Sequence, residues 1–244
     1  MTSSLRLDGG DLPSTRGVPG PRTTVLRAGR PVARALLRAY YRLEVHGAER
    51  VPRTGPVVMA ANHVGWLDGP LLAVASPRPV FALTKLEMFE GALGKVLVAA
   101  GQIPLDRSNV DVMAIRRAVR VLRDGHTVGV FPEGTRGAGD MASPRAGAAY
   151  LAIVTGAPVV PVSFLGTRIP GGWDGSVPPR NSRIAMTFGD PIRLESRPWP
   201  RTQQQVADAA ADVTAGILET MRLAEATTGL TLPGPLGRRP EKKR

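Results

Sequence analysis

His63 and Asp68 stand five positions apart with Gly65 between them, a spacing that lets the chain fold back and set a carboxylate against an imidazole. An imidazole, with an intrinsic pKa near ~6.5, is in good part neutral at pH 7 and can take a proton from an alcohol. A carboxylate on its Nδ1 fixes the tautomer and stabilises the imidazolium as it forms. Gly65 eases the tight return. The same spacing also suits a loop histidine beside an aspartate that caps a helix, and the two roles are compatible because they need different oxygens.

Residues farther along the chain add weight to the pair. Arg107 and Arg136 carry planar forks suited to a phosphate monoester, which two such forks could bracket, although either one could instead pair with Asp106 or Glu133. Within Glu133-Gly134-Thr135-Arg136, Glu133 could meet a substrate hydroxyl or hold an arginine, and Gly134 leaves its amide accessible to an oxygen. Lys85 could reach an anion, with a solvated lysine as the plainer reading. His46 and His126 lack an acid at a useful spacing and read as loop or packing residues. The chain contains no Gly-x-Ser-x-Gly elbow, no phosphate loop ending in Gly-Lys-Ser/Thr and no His-Glu-x-x-His, which weighs against a covalent serine or a metal mechanism.

These residues need elements to carry them. The apolar run over 56–61 reads as a buried strand ending at Asn62-His63, with a helix following over 71–75. Residues 80–83 form a second strand, 93–100 a helix closed by Gly101, and 103–105 a short strand ending at Asp106-Arg107. Ser108 or Asn109 caps a helix over 110–123. The β-branched run 127–131 is a central strand that opens at Pro132 into the Glu133 loop. A small-residue helix over 144–155, strands over 158–164 and 183–188, and a helix over 202–226 complete an alternation that indicates an α/β sheet. In such sheets ligands bind at strand ends. Three strand ends deliver Asn62-His63, Asp106-Arg107 and 133–136.

Before the first strand, Arg27, Arg30, Arg34, Arg38 and Arg42 fall three or four apart, and Val25, Val32, Leu36, Tyr40 and Leu43 take the other face of an amphipathic helix. Pro31 places the regular start of that helix near itself. Either the arginines meet lipid phosphates while the apolar face enters the acyl boundary, or the helix docks on the core with a solvated basic side. The Gly, Pro and Arg-rich residues 1–24 read as a disordered leader and 227–244 as a disordered basic tail, leaving one domain over 25–226.

Composition bounds the partners. With 244 residues, 43% of them hydrophobic, the chain suits one α/β domain. Its net charge of +12 calls for an anionic partner: nucleic acid, a phosphorylated substrate or an acidic bilayer. With 5% aromatic residues and no reader pattern, nucleic acid is excluded as the expectation. The absence of cysteine rules out disulfides and thiolate metal sites and suits a reducing cytoplasm. No apolar run is long enough to span a bilayer, and the first forty residues lack a signal-peptide core.

Asn-His-Val-Gly-Trp-Leu-Asp (62–68) and Phe-Pro-Glu-Gly-Thr-Arg (131–136) resemble, in order and spacing, two signatures of the PlsC-type glycerolipid acyltransferases. Gly-Gln-Ile-Pro-Leu-Asp-Arg (101–107) is similar to the family's intervening substrate motif, and Val-Val-Pro-Val (159–162) to its fourth. Thr84-Lys85-Leu86-Glu87 and Gly189-Asp190-Pro191-Ile192 fit as well, so the resemblance spans about 45–194. It implies a mixed sheet flanked by helices with an N-terminal amphipathic element at the membrane. It further implies direct acyl transfer, with His63 and Asp68 as the base pair and no acyl-enzyme.

In that scheme Arg107, Glu133, Gly134, Thr135 and Arg136 hold the acceptor, typically 1-acylglycerol 3-phosphate, which becomes phosphatidic acid. The resemblance implies no metal and no cofactor beyond acyl-CoA or acyl carrier protein as co-substrate. The implied location is cytoplasmic and peripheral, on the anionic inner face of the cell membrane. Gly137 and Arg145 depart from the serine and lysine common in the family, which leaves other lysolipid or glycolipid acceptors open. The rival from a different class is a non-catalytic basic binding module, which explains the charge but not the ordered motifs.

Overall fold

The computed structural model describes residues 12–239. The ends of the expected leader and tail, 1–11 and 240–244, lie outside the described residues.

Seven strands form one mixed sheet: β1 (Arg42–His46), β2 (Val57–Ala61), β3 (Val80–Lys85), β4 (Ile103–Leu105), β5 (Thr127–Val130), β6 (Val159–Leu165) and β7 (Arg183–Phe188). They lie in the order β1-β7-β6-β2-β5-β3-β4. Only the β6–β7 pairing is antiparallel. The expected mixed sheet flanked by helices is thus present. β2, β5 and β6 are buried along their whole length, as continuous apolar runs in a parallel sheet covered on both faces require.

Alternation along β2 divides the core. Val58 and Ala60 pack with α4 (Val112–Arg123), α5 (Gly147–Thr155) and α6 (Gln203–Thr228). Val57, Met59 and Ala61 face the opposite side, against Leu71 and Leu72 of α2 (Asp68–Ala75). Because β2, β3, β4, β5 and β6 all run the same way, their carboxyl ends emerge along one rim. Every strand-end residue singled out above therefore sits on that rim.

Several element boundaries differ from the sequence reading, each for a local reason. The N-terminal helix α1 spans Thr24–Tyr40 with Pro31 inside it, and its basic and apolar stripes stop short of Arg42 and Leu43, which belong to β1. Arg27 and Pro31 are both exposed, so the carbonyl that loses its amide partner lies where water reaches it. α4 is capped by Asp111, whose Oδ1 accepts the Ala114 N–H at 2.8 Å. Ser108 and Asn109 instead serve Asp106, which accepts the Ser108 N–H at 2.8 Å and the Asn109 amide at 3.2 Å. α5 begins at Gly147 rather than Pro144, because the Arg145 N–H is drawn to the Pro132 carbonyl at 2.8 Å.

The described ends of the chain are not loose. The carbonyls of Ser14 and Arg16 accept from Arg116 at 2.7 and 2.8 Å, and those of Pro13 and Val18 from Arg123 and Arg120, which lays residues 13–18 along α4. After α6, Leu230 and Leu232 join the core, and the Gly237 N–H donates to the Gly172 carbonyl at 3.0 Å. In both segments the backbone groups lack ladder partners, and arginines or other loops satisfy them instead.

Helix α1 meets the protein with Arg30 and Arg34 of its basic stripe, beside Leu26 and Leu37, while Arg27 and Arg38 stay exposed. Arg34 donates to the carbonyls of Val74, Ala75 and Ser76 at 3.2, 3.2 and 2.7 Å, and Arg30 also donates to Ser76. Those are the orphan carbonyls at the end of α2, which a cation satisfies on both hydrogen-bonding and dipole grounds. Burial, with Arg34 alongside, pushes the Arg30 guanidinium down to about 10. The apolar side faces outward, with Val32 64% and Leu36 66% exposed.

Candidate functional site

Asn62 closes β2 by bridging to β6: its Oδ1 accepts the Phe164 N–H at 2.7 Å and its Nδ2 donates to the Phe164 carbonyl at 3.1 Å. One residue on, His63 is held at both main-chain ends. Its N–H donates to Glu133 Oε1 at 2.8 Å, and its carbonyl accepts the Gly137 N–H at 3.0 Å. Its ring stacks on Phe131, centroids 4.2 Å apart and planes 25° off parallel.

Asp68 is 0% exposed. Its Oδ2 lies 2.8 Å from His63 Nδ1 and accepts the N–H groups of Val64 and Gly65 at 2.7 and 2.9 Å. A single oxygen therefore serves the imidazole and the loop together, while Oδ1 is buried without a partner. Asp68 is the first residue of α2 and gives no side-chain cap to it, so the helix-cap alternative falls away. With Nδ1 committed to Asp68, the His63 nitrogen left to accept a proton is Nε2. Gly65 is required for proximity as well as for the turn, since a Cβ there would run into the Thr167 carbonyl.

The loop after β5 turns at Gly134, φ +68°, with the Gly134 N–H donated to the Phe131 carbonyl at 2.9 Å. Its amide is thus engaged in the turn rather than left for a substrate oxygen, and its carbonyl takes Arg107. Arg136 donates to the Asp174 carbonyl at 2.8 Å. Among the described residues, the hydrogen bonds of Arg107 and Arg136 go to main-chain carbonyls, so neither the Asp106 nor the Glu133 pairing forms. Both arginines keep donors for an anion. Lys85 pairs with Glu87 at 3.0 Å, and His46 lies 3.6 Å from Glu44, an acid on its own strand that the spacing argument passed over. His126 packs against Phe81.

Glu133 holds the site's backbone: besides His63 it accepts from the Gly139 amide. Burial pushes its carboxyl up to about 7, with Asp140 and Asp68 adding to the rise against the two amide hydrogen bonds. A carboxyl raised from 4.5 to about 7 keeps its proton in the folded protein after the unfolded chain has released it. Folding stability therefore falls as pH rises through that window and levels above it. Glu133→Gln is expected to remove this decline. Unfolding midpoints of the two proteins between pH 4.5 and 8 check it, and parallel pH curves would refute it.

His63, Arg107, Gly134, Thr135 and Arg136 border one groove of about 460 Å³. Much of its lining is apolar, with Leu83, Leu93, Val96, Leu97 and Leu105 among the residues that form it. Trp66, Arg136 and Asp174 also border a second, open cavity of about 520 Å³ that reaches Trp173 and Arg239. The site thus joins a polar, arginine-bearing mouth to a slot for a hydrocarbon chain, with the imidazole at the junction. Such a layout can deprotonate a hydroxyl on an amphiphile while its anionic end and an acyl chain are held apart.

Of the positions chosen from sequence, His63, Asp68, Arg107, Gly134, Thr135 and Arg136 converge, whereas Glu133 supports His63 from behind. Sequence reasoning passed over Phe131 as a ring partner, Trp66 at the mouth, and Arg168. Arg168 follows Leu165, the end of β6, by three residues. The strand-end rule, applied to β6 as it was to β2, β4 and β5, would have found it.

Residues 42–165, just over half of the chain, match the family model described as Acyltransferase. A Bacillus subtilis protein named 1-acyl-sn-glycerol-3-phosphate acyltransferase is 29% identical over 152 residues, covering 62% of this chain and 73% of that one. One of the same name from Borreliella burgdorferi is 28% identical, with 55% of each chain covered. The crystal structure of the 1-acyl-sn-glycerophosphate (LPA) acyltransferase PlsC from Thermotoga maritima superposes with a TM-score of 0.59 at 25% identity, covering 80% of this chain and 79% of that one.

Proposed function

The chain belongs to the acyltransferase family, and from that premise we propose that it acylates the free hydroxyl of a lysophospholipid, 1-acylglycerol 3-phosphate, to give phosphatidic acid. The observation that carries this reading is the His63–Asp68 pair, 2.8 Å apart, at the junction of the apolar groove with the arginine-bearing mouth. His63 Nε2 takes the hydroxyl proton as the alkoxide attacks the thioester carbonyl of acyl-CoA or acyl carrier protein. A C–O ester bond forms, the C–S bond breaks, and the proton passes to the leaving thiolate. No acyl-enzyme forms. Arg107, Thr135 and Arg136 face the acceptor's phosphate and glycerol, and the groove takes an acyl chain. The names of the Bacillus and Thermotoga proteins support this choice of acceptor. The chemistry calls on no metal or resident cofactor.

The open cavity beyond Arg136 favours a second reading, a lysolipid or glycolipid with a larger headgroup. One experiment separates the two. Purified protein is given acyl-CoA or acyl carrier protein with a panel of lysolipids, and products are read by lipid mass spectrometry. Phosphatidic acid as the main product is expected; turnover only with larger headgroups selects the second reading, and none at all refutes both.

Among the described residues no helix is long and apolar enough to cross a membrane. The outward apolar side of α1, with Val96 of the groove-lining helix α3 (Gly91–Ala99) also exposed, supports peripheral attachment to the anionic, cytoplasmic face of the cell membrane. A nucleic acid is not the proposed partner. Replacing Val32 and Leu36 by glutamate is expected to weaken binding to anionic vesicles by about tenfold or more, since each apolar side chain contributes roughly 1.5–3 kcal/mol when buried. Vesicle sedimentation measures it; unchanged binding would rule out α1 as the attachment.

A further inference from the structure

Among the described residues Arg168 is the largest side chain with under 2% of its surface exposed, and it sits on the rim beside the proposed base. All five guanidinium N–H donors are directed at main-chain carbonyls. Nε reaches Val64 at 2.8 Å. One terminal nitrogen reaches Gly172 at 2.7 Å and Pro235 at 3.2 Å; the other reaches Gly137 at 3.0 Å and Gly234 at 2.5 Å. Its hydrogen bonds include no carboxylate. Burial pushes its pKa down from the ordinary guanidinium value, and the charge of Asp68 opposes that. Burying a cation without an ion partner is costly, and the carbonyl cage offsets that cost only while all its parts are in place.

Two of those carbonyls belong to the machinery around His63. Val64 follows the imidazole directly and donates its own N–H to Asp68. Gly137 donates its N–H to the His63 carbonyl. Two others, Gly234 and Pro235, belong to the segment after α6, which composition marks as a loose tail. That segment is locked again where Gly237 meets Gly172, so closely that a Cβ on Gly237 would collide with the Gly171 carbonyl.

We propose that Arg168 is a positioning residue for acyl transfer, and that residues 229–239 form a strap which completes its cage and thereby fixes the loop carrying His63 and Asp68. The proposal rests on the reading of His63 as the base. Without the strap, two of the five donors lose their acceptors, and the guanidinium is free to shift off Val64 and Gly137. A displacement of about 1 Å at the reacting nitrogen costs on the order of 10²-fold in rate.

The test uses the full chain in three variants, Arg168→Met, Arg168→Lys and Gly237→Val, assayed with the thioester and lysophospholipid that the wild type turns over, with His63→Ala as reference. Arg168→Met is expected to lower kcat about 10²-fold, with KM for both substrates within about threefold. Lysine, with three donors on a flexible stem, is expected to restore only part of that loss. Gly237→Val, which pries the strap off Gly171 without altering a side chain of the proposed catalytic pair, is expected to lower kcat about tenfold at an unchanged far-ultraviolet circular dichroism spectrum. If Arg168→Met does not fold, Gly237→Val decides. Wild-type kcat in Gly237→Val, full rescue by lysine, or a loss confined to KM would each overturn the proposal. If His63→Ala itself retains turnover, the base assignment fails; if it abolishes turnover while the other variants keep kcat, only the strap fails.

Discussion

His63→Ala is expected to lower turnover by about 10²–10⁴-fold, the range a positioned general base supplies, and to leave the protein folded. The local structure around the residue predicts both halves of that result. The imidazole is the proposed proton acceptor, and removing it leaves an alcohol facing the thioester with no group to take its proton. The main-chain bonds that hold the loop, from the His63 N–H to Glu133 and from Gly137 to the His63 carbonyl, survive the substitution. Loss of the ring forfeits its stacking on Phe131, a modest term for a partly exposed side chain. KM for the lysophospholipid is expected to stay within a few fold, because the arginines and the groove do the binding. Steady-state assays with a thermal unfolding control check this. A variant retaining a tenth or more of wild-type turnover would remove His63 from the chemistry.

What could be read from sequence divides along a physical line. β2, β5 and β6 were legible because a buried parallel strand must be apolar throughout, and the polar residues that follow such runs stand out: Asn62-His63, Asp106-Arg107 and 133–136. Sequence-local partners were legible too, as with His63 and Asp68. Contacts made by main-chain carbonyls were not. Carbonyls occur at every residue, so nothing in the composition of 229–239 marks Gly234 and Pro235 as acceptors for Arg168.

The same blindness governs α1. Periodicity places its arginines on one face, but which face turns inward is decided by the carbonyls of Val74, Ala75 and Ser76, whose need for donors depends on where α2 ends. The helix cap at Asp111 follows a similar rule, since Asp106 had already claimed Ser108 and Asn109. The resemblance assigns Glu133 to the acceptor, and its place at a strand end allows a substrate hydroxyl or an arginine as partner. Only the structure shows its Oε1 on the far side, holding the His63 amide.

Asp68→Asn is expected to cost about 10³–10⁴-fold in turnover, the scale observed when the aspartate of a hydrolase triad becomes asparagine. The geometry gives the reason for either orientation of the new amide. If the asparagine oxygen takes the place of Oδ2, it still accepts from His63 Nδ1, Val64 and Gly65, but the charge that stabilises the imidazolium is gone. The NH₂ then occupies the Oδ1 position, which is buried without a partner, at a cost of about 1–3 kcal/mol in stability. If the amide is reversed, its NH₂ faces the N–H groups of Val64 and Gly65 and obliges Nδ1 to accept, which moves the imidazole proton onto Nε2 and removes the base. The two groups act as a unit, so combining Asp68→Asn with His63→Ala is expected to add little to the loss from His63→Ala alone. Single-turnover rates for the four proteins of that cycle check this coupling. Additive losses would mean that Asp68 acts on the rate by some route other than through the imidazole.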